Sequence, residues 1–155
     1  MGCARGGPVN VNISAATVES IPILFTPRKN AEAVVEYTMG LITAESRNIV
    51  RAGAAFEREV LCTGYYRNDL SGLELSKKAL GIIEYGAVGP LVGELAKGFG
   101  MEVVAYDPYV SEGKMRRNSV EKVGLEDIPR SSNVVAIRVR LTYEARNLIG
   151  ERGSP

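Results

Sequence analysis

One segment constrains this chain more than any other: residues 81–108, GIIEYGAVGPLVGELAKGFGMEVVAYDP. An apolar run leads into a turn holding Gly86 and Gly89. A helix then starts with Pro90 in its first turn, and a second apolar run ends at Asp107. Proline suits that place because its missing N–H would have no helical partner there anyway. Strand, glycine turn, helix and strand in this order make the βαβ unit of a dinucleotide-binding fold. The second glycine of such a turn lets the backbone approach a pyrophosphate. The helix N-terminus supplies free N–H groups and a partial positive charge. Asp107 lies about 20 residues beyond Gly86, where an acid holds both ribose hydroxyls. That acid favours NAD over NADP, because it would repel a 2′-phosphate.

The fingerprint departs from G-x-G-x-x-G at its first position. It reads Glu84-Tyr85-Gly86-Ala87-Val88-Gly89. If that position needs a positive φ, a non-glycine costs about 1–2 kcal/mol. The carboxylate also falls near the expected pyrophosphate. Two unit charges ~5 Å apart at an effective dielectric of ~20 repel by about 3 kcal/mol. Together these weaken binding by about two to three powers of ten, unless Glu84 points away into water.

The strand–helix alternation continues around this unit. We expect strands over 79–83 (ALGII), 102–106 (EVVAY) and 133–139 (NVVAIRV), a helix over 90–99, and a short helical turn within 119–128. Alternation of this kind means crossover connections and a parallel sheet. Upstream, Asn30 is a good N-cap for one long helix running without proline to residue 59. Val34, Val35, Met39, Leu41, Ile42, Ile49 and Val50 give it a broad apolar stripe, and Gly40 within it suggests close packing. That stripe suits either a buried core helix or a helix packed on a second copy of itself. Before it, residues 15–20 suit a short helix capped by Ser14, and residues 21–25 a short strand. Residues 61–78 are polar and irregular, as in a linker arm.

Composition excludes several functions. At 155 residues the chain is one domain's worth. It carries 19 Lys plus Arg against 18 Asp plus Glu, a balance that gives no electrostatic case for nucleic acid or a membrane surface. No apolar run approaches the roughly 20 residues of a spanning helix. Cys3 and Cys62 are too few for a disulfide framework and point to a reducing compartment, the cytoplasm. There is no histidine, so an imidazole base and a His-rich metal site are both excluded; we expect no metal.

Four further segments carry a resemblance: NAEAVVEYTMGLITAESRNI, GLELSKKALGIIEYGAVG, FGMEVVAYDPYV and SSNVVAIRVRLTYEARNLIG. In order and spacing the chain resembles the D-isomer-specific 2-hydroxyacid dehydrogenases, especially the 3-phosphoglycerate dehydrogenase-like members, from about residue 2 to 150. The resemblance implies an α/β fold. Its parts are an incomplete Rossmann-type parallel sheet, a long hinge and dimer helix, and a remnant of the substrate domain at the N-terminus. The divisions it implies are 1–28 for the remnant, 29–60 for the hinge and dimerisation helix and 61–78 for the linker arm. The partial NAD-binding domain takes 79–150 and a tail 151–155. It implies NAD as cofactor and a homodimer. Ala87 and Val88 match pyrophosphate-contacting positions, Asp107 the ribose acid, and Val139 a position lining the cofactor pocket. Arg5, Gly6 and Gly7 match a loop that meets the substrate carboxylate.

Other positions depart from the family's pattern. Pro-Gly-Arg-Asn before the hinge helix reads Pro27-Arg28-Lys29-Asn30. Arg138 takes the place of a His after the third strand, and Thr-Pro-Glu-Thr reads Thr142-Tyr143-Glu144-Ala145. Family members are longer at both ends, and the segments bearing the substrate Arg, the orienting Glu and the base His have no counterpart here. We therefore assign no catalytic residue and expect a domain that is catalytically incomplete alone, with a second polypeptide as a candidate to complete the site. The alternative is a non-catalytic dimerisation or nucleotide-binding module, a decayed paralogue. With few strands left, strand 79–83 is expected at a sheet edge, which would favour association.

Overall fold

The computed structural model describes residues 1–4, 6–8, 10–57 and 72–139 of the chain. Its centre is a parallel sheet of four strands: β3 (Ala79–Ile83), β4 (Glu102–Tyr106), β5 (Glu121–Lys122) and β6 (Val134–Ile137), in the order β5-β4-β3-β6. Parallel strands covered on both faces read as continuous apolar runs, as ALGII and EVVAY do.

Side chains of β3 alternate between two layers. Leu80 and Ile82 face α2 (Ala31–Ser46) and α4 (Gly89–Gly98), packing with Val35, Met39, Val92 and Ala96. Ile83 faces the other way, onto Val104 and Ile128. Ile128 opens α6 (Ile128–Ser131), and a Cβ on Gly81 would come within 2.9 Å of its Cγ2. Only glycine lets this short helix lie so close to the strand. Fully burying a large aliphatic such as Leu80 or Ile82 contributes about 1.5–3 kcal/mol.

Strand β3 is central, not an edge, because β6 returns to its open side: Leu80 pairs with both Val103 and Val134. Among the described residues the sheet's edges are β5 and β6; on β6, Ile137 is 55% accessible.

The segment expected to form one long helix is two helices. After α2 the chain turns at Arg47 and Asn48, and α3 (Ile49–Glu57) follows. Asn48 adopts φ 54°, a conformation asparagine tolerates better than most residues. Gly72 explains the break. A Cβ there would lie 2.0 Å from the Ser46 carbonyl oxygen, so the returning chain passes directly over the end of α2. Asn30 stands at the N-cap of α2 but makes no capping bond with its side chain. Gly40 is exposed, with no atom of the described residues within 4 Å of where a Cβ would stand.

Between β4 and β5 lies α5 (Glu112–Arg117). The segment expected to hold a helical turn contains β5 first; turns then close from Asp127 N–H to Gly124 O at 3.2 Å and from Ile128 N–H to Leu125 O at 3.3 Å, and α6 begins at its end. At the N-terminus, β1 (Gly2–Cys3) and β2 (Leu24–Phe25) pair in parallel around α1 (Ile13–Val18). The cap of α1 is Asn12, whose side chain accepts the Ala15 N–H at 3.0 Å; Ser14 lies inside the helix. Cys62 and most of the expected linker arm fall outside the described residues. Among the described residues, no helix is long and apolar enough to cross a membrane.

Candidate functional site

The carboxyl end of β3 runs straight into the glycine turn. Glu84 donates its N–H to Tyr106 O at 2.9 Å, which ties it to β4, and it adopts φ 73°. The first fingerprint position therefore does require the left-handed region, and Glu84 carries its strain. Its side chain stays on the turn: Oε1 lies 3.6 Å from where a Cβ on Gly86 would stand.

Gly86 and Gly89 play different parts. Gly86 is exposed, and the nearest atoms to its missing side chain belong to the Glu84 side chain. Gly89 is buried, and a Cβ there would come within 3.1 Å of both Glu84 O and Tyr85 Cδ2. So Gly86 leaves a face open for a ligand, and Gly89 lets α4 pack against the turn. Ala87 is exposed and Val88 half-buried against the main core. Val88 is the N-cap of α4 and offers no side-chain capping bond. The first N–H groups of α4 are thus left for solvent or an anion.

Asp107 is 3% accessible. Oδ2 accepts the Tyr85 N–H at 2.8 Å; Oδ1 accepts the Tyr109 N–H at 2.8 Å and the Val110 N–H at 3.1 Å. A carboxylate has about four lone-pair positions, so little capacity remains for a ribose hydroxyl. Tyr85 is fully buried, and its hydroxyl accepts Asn118 Nδ2 at 3.3 Å. Burial pushes its phenol above the ordinary 10.0, with the Asn118 bond acting in the opposite direction.

The structure brings Glu84, the 86–89 turn and Asp107 together through Tyr85. Val139 lies just past β6 at the same end of the sheet, half-buried against Ile83, Val104 and Ile128. Gly6 and Gly7 are half-buried, and a Cβ on Gly6 would be 3.8 Å from Asn30 Oδ1, so this loop meets the start of α2. Arg5 lies outside the described residues. One contact was absent from the sequence reading: Arg138 Nη1 donates to Thr38 Oγ1 at 3.0 Å, joining the end of β6 to α2. Thr38 falls on the helical period of Val35, Met39 and Ile42, and that period was the available signal for its burial.

For a dinucleotide, the open Gly86 and the uncapped α4 fit; the Glu84 carboxylate opposes, and Asp107, with three N–H groups already on it, cannot hold both ribose hydroxyls as expected. The wider comparisons agree with the fit. Residues 39–153 match the family model described as D-isomer specific 2-hydroxyacid dehydrogenase, NAD binding domain. A D-3-phosphoglycerate dehydrogenase from Methanocaldococcus jannaschii is 34% identical over 97% of this chain and 28% of its own length. A glyoxylate reductase from Aeropyrum pernix is 34% identical over 92% of this chain and 43% of its own. The apo-structure of D-lactate dehydrogenase from Escherichia coli superposes with a TM-score of 0.79 at 29% identity, over 98% of this chain and 46% of that one. The chain belongs to the D-isomer specific 2-hydroxyacid dehydrogenase family and carries its NAD-binding domain. It spans less than half the length of these relatives.

Proposed function

We propose that the chain serves as the NAD-binding domain of a phosphoglycerate dehydrogenase-like oxidoreductase acting on 2-hydroxy acids. The observation that carries this is the turn itself, with Gly86 open, Gly89 packed and Asp107 anchored to Tyr85. NAD supplies the hydride acceptor. Gly86, Ala87, Val88 and Gly89 hold its diphosphate against the start of α4, Asp107 meets one ribose hydroxyl with the lone-pair position its three N–H bonds leave, and Val139 lines the pocket. Arg5, Gly6 and Gly7 face the substrate carboxylate. Removing the hydroxyl proton needs a base, and the chain has no histidine. We assign that step to residues outside these 155.

Calorimetric titration with NAD tests the reading. Glu84→Gly is expected to bind about two powers of ten more tightly than wild type, as the repulsion of about 3 kcal/mol is removed; the strain at φ 73° is already in the free fold, so its relief raises stability instead. If neither protein binds NAD, the cofactor reading is wrong. The Glu84 carboxylate beside Gly86 favours a second reading, a non-catalytic module. That reading gains if only Glu84→Gly binds, and fails if wild type binds at micromolar affinity.

We also propose a homodimer through the α2–α3 segment. While one face of α2 packs on the sheet, Leu41 stays 54% and Val50 of α3 73% accessible. Sedimentation showing a clean monomer at micromolar concentration would overturn it. The low cysteine content supports a cytoplasmic setting.

A further inference from the structure

From β3 the chain proceeds through α4 to β4 and then β5 on one side, and later returns to place β6 on the other side of β3. The strand order therefore reverses between β3 and β6. In open parallel sheets the crevice outside the carboxyl ends of the strands at such a reversal is where ligands bind. Two charged residues stand there, each one step beyond the paired residues Ile83 and Ile137: Glu84 and Arg138. The Arg138 N–H extends the ladder by donating to Ile83 O at 3.0 Å.

The side chain of Arg138 is only partly used. Nη1 donates to Thr38 Oγ1, and Thr38 in turn donates to Val34 O at 2.7 Å, so one corner of the guanidinium is pinned to α2. Nε is buried and has no hydrogen-bond partner among the described residues. A guanidinium has two faces that grip an oxyanion with a pair of parallel N–H bonds, and the face formed by Nε and Nη2 is the one Thr38 leaves alone. A buried donor without a partner is destabilising, and such groups are rare unless a ligand satisfies them.

We infer that Arg138 is an oxyanion-binding residue at this crevice, taking an anion side-on through Nε and Nη2 while Thr38 fixes its orientation. The shared ligand chemistry is a planar or tetrahedral oxyanion, supplied either by the diphosphate of a nucleotide or by the carboxylate of a 2-hydroxy or 2-oxo acid. The diphosphate source rests on the cofactor reading above; the carboxylate source does not.

The test is calorimetric titration of the full chain, wild type and Arg138→Gln, with ADP, adenosine and oxalate at one ionic strength. Adenosine carries no oxyanion and should bind both proteins alike. ADP, oxalate or both should bind Arg138→Gln about ten- to hundredfold more weakly than wild type, as expected for losing a charge-assisted pair. A loss confined to ADP assigns the diphosphate, and one confined to oxalate assigns the carboxylate. Equal affinities for both anions in the two proteins overturn the inference, whatever happens to the melting temperature. So does a wild type that binds neither anion. Should Arg138→Gln fail to fold, Arg138→Lys replaces it; it keeps the charge but lacks the fork, and unchanged anion affinity there also overturns the inference. ADP that binds neither wild type nor Glu84→Gly removes the cofactor reading, and the oxalate comparison then decides Arg138 alone.

Discussion

The carboxylate of Asp107 accepts the backbone N–H of Tyr85 at 2.8 Å, so the acid ending β4 holds the turn that leaves β3. With two further N–H groups on Oδ1, the group expected to meet a ribose also organises the backbone around it. Asp107→Asn should therefore affect more than ligand affinity. Its amide cannot accept at both ends, so one buried N–H is left without a partner, costing about 1–3 kcal/mol. A thermal melt should show a drop of roughly 2–10 °C. An unchanged melting temperature would mean that the bonds to Asp107 contribute little to the turn.

Tyr85 gives the fold an alkaline limit. Its phenol titrates higher when folded than unfolded, because burial disfavours the phenolate. The unfolded chain thus loses this proton first as pH rises, and the folded state holds more protons. The stabilisation is complete below about pH 10 and is lost as pH climbs through the raised folded value. Urea unfolding followed across that range should show stability falling with pH, and Tyr85→Phe should flatten the fall. An equal slope in both proteins would rule out Tyr85 as the cause.

The two turn glycines should separate stability from binding. Gly89→Ala places a Cβ within 3.1 Å of a carbonyl oxygen and a buried ring, and should destabilise by about 1–3 kcal/mol. Gly86→Ala meets only the side chain of Glu84 at 3.6 Å and should melt within about 0.5 kcal/mol of wild type while weakening NAD binding. Paired melts and NAD titrations check both. A Gly86→Ala that binds NAD as wild type does would show that the ligand does not approach this face.

Gly72→Ala should be the most damaging of the glycine changes. Its φ is 78°, and the new Cβ would collide with the backbone of Ser46 at 2.0 Å. A loss of roughly 3 kcal/mol or more is expected from strain and displacement together. Chemical denaturation measures it; a loss below about 1 kcal/mol would show that the passage over α2 relaxes easily.

The features that the sequence made legible are those encoded by nearby residues. β3 and β4 begin and end where their apolar runs do, and α4 starts within a residue of the expected Pro90. The first fingerprint position demanded the positive φ that the motif implies, although Glu84 occupies it. What escaped is set by distant parts of the chain. The break after α2 depends on Gly72 passing over Ser46, and no local pattern shows that. Asn48 was the one local hint, being a residue that accepts φ 54°. The central place of β3 depends on β6 coming back beside it, and strand order is not a property of either strand's own composition. α5 left a local signal that was passed over: Glu112 in its first turn and Lys114, Arg116 and Arg117 in its last match the helix dipole. At the site, the turn and its acid were readable from spacing, while the Arg138–Thr38 contact joins residues far apart in sequence.

The strand order also dictates a sequence of assembly. Leu80 meets Val103 across a short crossover, but waits for Val134 until most of the described chain has been made. Closing a longer loop costs more entropy and slows docking, so the β3–α4–β4 unit forms first and β6 seals its open side late. The glycine turn can exist before the crevice does. Arg138 reaches its position only when β6 docks, so the proposed oxyanion contact takes shape after the glycine turn it faces.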